Sequence, residues 1–157
     1  NKEFTLAENL LAARINEPRF SGNGILHRIP IFDYAKNLIE TFDIRPSDPG
    51  IRVDVLSGGN AQKIVVAREI DAADGFLIAC QPTRGVDVGA IQSIRDILNQ
   101  AKARGVSILL VSTDLDEILA MSDRIVIFYK GRITGELLNE NIDIERLGLL
   151  MMGGAKS

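Results

Sequence analysis

The chain lacks several things that would place it quickly. It has one cysteine, Cys80, in 157 residues, so no internal disulfide can form and a reducing compartment is expected. No apolar run approaches the roughly 20 residues needed to span a bilayer. No Gly-x-x-x-x-Gly-Lys-Ser/Thr occurs, so the backbone nest, the phosphate lysine and the Mg²⁺-binding hydroxyl of a P-loop are missing. Positive charge is not in surplus: 18 basic and 21 acidic residues give a net charge of −3. That balance gives no electrostatic case for nucleic acid or an anionic membrane surface. The single histidine, His27, lies far in sequence from the motifs below and receives no role. The chain opens Asn-Lys-Glu, without Met or a signal-peptide pattern, and is read as a piece of a longer protein.

What is present is ordinary globular composition, 46% apolar and 25% charged, with enough length for one domain with a core. Residues 1 to about 55 read as a helical subdomain. Thr5 and Glu8 have capping-box spacing and open a helix through about Arg14. Pro18, Gly22, Gly24 and Pro30 mark residues 16–30 as a loop. Phe32, Ala35, Leu38, Ile39 and Phe42 then share a helical face, broken by Pro46, Pro49 and Gly50.

Residues 56–157 read as an α/β unit. Phe76–Cys80 is apolar on both faces and too short for a helix, which suits a strand buried in a parallel sheet. Val106–Ser112 reads the same way. Between them, Ile91, Ile94, Ile97, Leu98 and Ala101 form the stripe of a helix starting at Val88 and stopped by Gly105. A helix from Asp114 to about Met121 follows. Lys130-Gly131 joins strands Arg124–Tyr129 and Arg132–Leu137 as a hairpin, and Asp143 to Met152 is a last helix. The expected fold is α/β: a partial sheet of mainly parallel strands with flanking helices, preceded by a helical arm. With one sheet edge lacking neighbours, self-association is expected.

Leu56-Ser57-Gly58-Gly59-Asn60-Ala61-Gln62-Lys63 is the most informative segment. Ser57 suits a helix N-cap. Gly58 and Gly59 let a ligand approach the backbone closely. First-turn amides and the helix dipole favour an anion there. Alone, such a start reads first as a plain N-cap after a flexible turn. Its surroundings decide. Eleven residues after Ala67-Arg68-Glu69 comes Cys80-Gln81-Pro82-Thr83-Arg84-Gly85-Val86-Asp87. The two segments, in this order and spacing, resemble the signature loop, Pro-Thr strand end and D-loop of ABC-transporter ATP-binding proteins, in the variant of the sugar and nucleoside importers. The resemblance covers about residues 4–153, and its P-loop-NTPase-like fold agrees with the α/β reading.

The resemblance implies that Leu56, Ser57, Gly58, Gly59, Asn60 and Gln62 bind nucleotide in trans, clasping ATP held by a partner cassette. Asp87 would sit in the D-loop, where two cassettes touch; its local reading is a turn residue at a helix start. Where the family has Asp-Glu for Mg²⁺ and the attacking water, this chain has Cys80 and Gln81. A thiol is a poor ligand for Mg²⁺, and a carboxamide cannot take a proton from water. Cys80 otherwise reads as a small buried hydrophobe, and Gln81 as a holder of water or phosphate. Thr113 takes the place of the family's switch histidine; locally it reads as a helix N-cap with Asp116 three residues on. These three positions are degenerate, and no metal site is expected in the chain itself.

The resemblance further implies a parent that uses ATP and Mg²⁺, while the chain alone is inactive. It implies a second, non-consensus cassette in a tandem subunit, docked through residues 1–55 on transmembrane permease subunits, peripheral on the cytoplasmic face of the membrane. Two rivals are an ATPase head of the chromosome-maintenance or DNA-repair kind and a non-catalytic interaction module. The first needs an Asp-Glu pair and long heptads, which are missing.

Overall fold

A computed structural model describes residues 1–154. The last three residues of the expected 56–157 unit therefore lie outside the described residues. The chain forms two compact units, Asn1–Val111 and the segment from Ser112 onward.

In the first unit, α1 (Leu6–Leu11) starts at a complete capping box: Glu8 N–H donates to Thr5 Oγ1 at 3.2 Å, and Thr5 N–H donates to Glu8 Oε2 at 2.7 Å. The helix stops three residues before Arg14, in turns that release Arg14 toward other partners. Residues 16–30 are not simply loop. They hold a small antiparallel pair, β1 (Ser21–Gly22) with β2 (Ile25–Leu26), and the start of α2 (Arg28–Thr41). Pro30 lies in the first turn of α2, where a missing N–H costs no helical bond. The buried face of α2 is Ile31, Ala35, Leu38 and Ile39, with Phe42 beyond its end; Phe32 is only half-buried. The helix ends at Thr41, and Asp43 just beyond it takes the left-handed region (φ +45°) before any proline intervenes.

Val53–Val55 forms one 3₁₀ turn, and α3 (Gly58–Ala72) follows directly. The arm stays attached to α3, because α1 packs against both α2 and α3. Asp71, at the end of α3, holds the junction. Arg14 donates to its carboxylate and its carbonyl, and Tyr34 donates to the same carboxylate at 2.7 Å. The unit closes with β3 (Phe76–Cys80), α4 (Val88–Ala103) and β4 (Ser107–Val111), a βαβ crossover with parallel pairing Phe76↔Ser107 through Cys80↔Val111.

The strands are less buried than expected. Leu77 and Ala79 are buried, but Phe76, Ile78 and Cys80 alternate with them and are exposed, as are Leu109 and Val111 opposite. A βαβ unit covers one face of its strands with the crossover helix, and α4 buries Ala90, Ile94, Leu98 and Ala101. The other face has no covering element in this unit. Cys80 is thus an exposed free thiol and not the buried hydrophobe that its apolar neighbours suggest.

The second unit contains α5 (Leu115–Met121), β5 (Arg124–Tyr129), β6 (Arg132–Leu138) and α6 (Ile144–Met151). Its core is Ile125, Ile127, Leu147 and Leu150. Lys130 and Gly131, both at positive φ, make the tight turn the dipeptide promises. The α/β class therefore holds, with parallel pairing confined among the described residues to β3 and β4.

Two outcomes follow from these contacts. The uncovered apolar face of β3 and β4 should make the chain associate with concentration, and Ile78→Lys should weaken that association. Sedimentation velocity over a concentration series tests it, and a strictly monodisperse wild-type monomer would count against it. Tyr34 carries the second. Partial burial, then its bond to Asp71, holds the phenol above the ordinary tyrosine range. Folding favours the neutral phenol, so this stabilisation is complete below about pH 10 and is lost as pH rises further. Tyr34→Phe should cost about 1–2 kcal/mol at neutral pH, since the bond goes to a partly exposed carboxylate. It should also flatten the alkaline fall in urea midpoint, and an unchanged alkaline slope in Tyr34→Phe would refute this account.

Candidate functional site

Ser57 caps α3 as expected: its Oγ accepts from Asn60 N–H at 3.4 Å. The first intrahelical backbone bond runs from Ala61 N–H to Ser57 carbonyl at 3.0 Å. The amides of Gly58 and Gly59 precede that bond and have no acceptor within the helix.

The start of α4 lies against this turn. Asp87 caps α4, its Oδ1 accepting from Ala90 N–H at 2.9 Å. Gly59 is buried at the contact. A Cβ on Gly59 would fall 2.5 Å from Ala90 Cβ and 3.1 Å from Asp87 Oδ2. A Cβ on Gly58 would meet only the Gly85 carbonyl, at 3.6 Å. Gln62 braces the same junction from below, donating to the Pro82 carbonyl at 2.9 Å. Two separate sequence segments are thereby fixed to each other, with Leu56 leading in from the 3₁₀ turn.

Between the two helix starts is a cleft of about 150 Å³, lined by Ser57, Gly59, Asn60, Lys63, Asp87, Gly89 and Ala90. Its volume is below the several hundred Å³ of a typical small-molecule site, so it suits a phosphate-sized group and not a whole nucleotide. The Ser57 hydroxyl, the first-turn amides and the dipoles of two helices favour an anion there. The Asp87 carboxylate opposes it, partly offset by its own bond to the α4 amide.

Motif reading quotes Lys63 without giving it a role and sets the arm only against the permease, yet both reach the cleft. Lys63 is buried, and its Nζ donates to the Asp43 carbonyl at 2.9 Å. Asn60 Oδ1 accepts from Arg45 N–H at 2.8 Å. The signal was the polar pair Asn60 and Lys63 on the inward side of a helix, which must find partners when buried.

Cys80 and Gln81 stand elsewhere in the same unit, at the end of β3. Gln81 takes a left-handed backbone (φ +50°), and its N–H donates to the Val111 carbonyl at 2.8 Å. A non-glycine residue there costs about 1 kcal/mol or more. The side chains at this corner do not fit Mg²⁺. They offer a thiol and a carboxamide in place of carboxylates, and among the described residues no three His, Cys, Asp or Glu converge on one point. Thr113 belongs to the second unit. It is not the cap expected of it: Asp114 caps α5, its Oδ1 accepting from Asp116 N–H at 2.9 Å and Glu117 N–H at 3.2 Å. Asp is as good a cap as Thr, and one residue of shift gives it both amides.

Comparison with known proteins places the chain. Over 152 residues, 97% of its length, the chain is 43% identical to the nucleoside import ATP-binding protein NupA of Lactococcus lactis subsp. cremoris (strain MG1363), of which it covers 30%. It is 38% identical over 152 residues, again 97% of its length, to the ribose import ATP-binding protein RbsA of Bacillus subtilis (strain 168), also covering 30% of it. The chain belongs to the ABC-transporter ATP-binding proteins. Its sequence relatives lie in the sugar and nucleoside importer branch. No protein-family model matches the chain. The fold is that of a cassette: a nucleotide-free ATP-binding cassette from an ABC transporter superposes with a TM-score of 0.71 at 22% identity, over 96% of this chain and 60% of that one. The chain therefore spans about 30% of the length of these two curated relatives and a little over half of a solved cassette.

The packing makes the two adjacent glycines, Gly58 and Gly59, unequal. Gly59→Ala must push α3 from α4 and should destabilise the fold by about 1–3 kcal/mol. Gly58→Ala, whose methyl group meets only an ordinary van der Waals contact, should change stability by about 0.5 kcal/mol at most. Chemical denaturation of both variants decides it, and equal losses would contradict the packing argument.

Proposed function

We propose that the chain is the C-terminal part of the second, non-consensus cassette of an importer for simple sugars or nucleosides. In this reading it supplies the loop Leu56–Gln62 to clasp ATP held by the P-loop of a partner cassette. The observation that carries the reading is the junction of two motif segments at one phosphate-sized cleft, with Ser57, Gly59 and Asn60 on one wall and Asp87, Gly89 and Ala90 on the other. The names of the relatives support the class of solute.

In this role Ser57 Oγ–H and the amides of Gly58 and Gly59 donate to the terminal phosphate, with the α3 dipole behind them. Such donors, fixed before the reaction, stabilise the charge that develops on a transferring phosphoryl group. Asp87 orders the start of α4 where the partner cassette approaches. Cys80 and Gln81 offer no carboxylate, and Thr113 no imidazole, at the positions where the resemblance expects them, so ATP and Mg²⁺ would be handled with groups of the partner. Residues 1–55 are the arm that docks on the transmembrane permease subunits, at the cytoplasmic face of the membrane. No helix among the described residues is long and apolar enough to cross a membrane.

The reading predicts an asymmetry. In the full-length importer at matched expression, Ser57→Arg or Gly58→Asp should reduce ATP hydrolysis at least about tenfold, the loss expected on blocking hydrogen bonds to a charged group. Gln81→Ala should retain most of it. Loss of turnover in Gln81→Ala with near-wild-type rates in Gly58→Asp would reverse the assignment.

A further inference from the structure

The Ser57 hydroxyl does not stand alone. Asn60 holds it, and the arm holds Asn60. The carboxamide of Asn60 meets Arg45 N–H through Oδ1 at 2.8 Å and Ser57 Oγ through Nδ2 at 3.1 Å. A backbone N–H can only donate, so Arg45 decides which end of the carboxamide faces it. Nδ2 is thereby turned to Ser57. The backbone N–H of Asn60 reaches the same oxygen at 3.4 Å. A hydroxyl has two lone pairs and one proton. Here both lone pairs receive donors from Asn60, and the proton is left to point outward.

The arm's turn is itself anchored. Lys63 Nζ donates to the Asp43 carbonyl at 2.9 Å, and the neighbouring Ile44 is buried. Its amide donates back to the Ile39 carbonyl at 3.0 Å, which ties the turn to α2. Asn60 and Lys63 thus clamp residues 43–45 onto the first turns of α3.

The geometry points to Asn60 as a positioning residue: oriented by the Arg45 amide of the arm, it commits the Ser57 hydroxyl to donate, and so tunes the cleft to an acceptor-only guest such as a phosphoryl oxygen. This rests on the reading of Ser57 as a contact to ATP. It adds a route by which the arm acts on that contact, since a turn that withdraws from Asn60 frees the carboxamide to rotate and returns Ser57 to an ambiguous hydrogen-bonding state.

Asn60→Asp separates the parts. It keeps an oxygen for Arg45 N–H but replaces the donor facing Ser57 by an acceptor, which draws the serine proton inward. In the full-length importer, Asn60→Asp should raise KM for ATP about tenfold. In a Ser57→Ala background the same change should raise it no more than about twofold. Amide exchange at Arg45 should stay slow in Asn60→Asp, which shows the variant folded and anchored, and should quicken in Asn60→Ala. An equal rise of KM in both backgrounds would mean that added charge alone acts, and would overturn the inference. So would an unchanged KM in Asn60→Asp where Ser57→Ala raises it, or Arg45 exchange that stays slow in Asn60→Ala. If Ser57→Ala itself leaves KM and turnover at wild type, the phosphate reading of Ser57 fails and takes this inference with it.

Discussion

A hydrogen atom in place of a side chain at Gly59 lets the first turns of α3 and α4 lie in contact, and the cleft is a consequence of that contact. Even a methyl group at Gly59 would overlap Ala90. Because the helices meet at their N-terminal ends, their positive dipole ends converge on one small volume. Gln62 bonding the Pro82 carbonyl and Asp87 capping α4 hold the two starts in register. A wider separation would leave two ordinary capped helices and no shared cleft.

The caps and turns were legible in the sequence because each is decided within a few residues. Ser57 at the start of α3, the run Val88–Ala103 stopped before Gly105, and the Lys130-Gly131 turn depend on local backbone needs that only certain residues satisfy. Pro30 misled because a proline in the first helical turn looks, in sequence, like a proline that ends a loop. Thr113 and Asp114 are both good caps, and only the positions of the amides at Asp116 and Glu117 choose between them.

Burial was less legible, for a different reason. The run Phe76–Cys80 has the composition of a strand covered on both sides, yet only Leu77 and Ala79 are covered. Apolar content records the surroundings a strand is suited to, and those surroundings need not all come from the same segment. The chain matches 60% of a solved cassette, and the open face of β3 and β4 carries the kind of residues a sheet interior uses. Exposure of the Cys80 thiol has the same origin: its strand alternates, and it falls on the open side.

The arm's link to the first turn of α3 could not have been read from spacing. Asn60 is fifteen residues from Arg45, and neither residue belongs to a local pattern that requires the other. What connects them is a matching of hydrogen-bonding capacity. The Arg45 amide needs an acceptor, Asn60 offers one acceptor and one donor on a rigid plane, and Ser57 can take the donor that remains. A carboxamide is suited to this place because it carries opposite capacities at its two ends. A carboxylate would offer two acceptors, and an apolar residue would leave the arm's amide and the serine without these partners. The chemical state of one hydroxyl in the cleft therefore depends on the position of a backbone turn outside it.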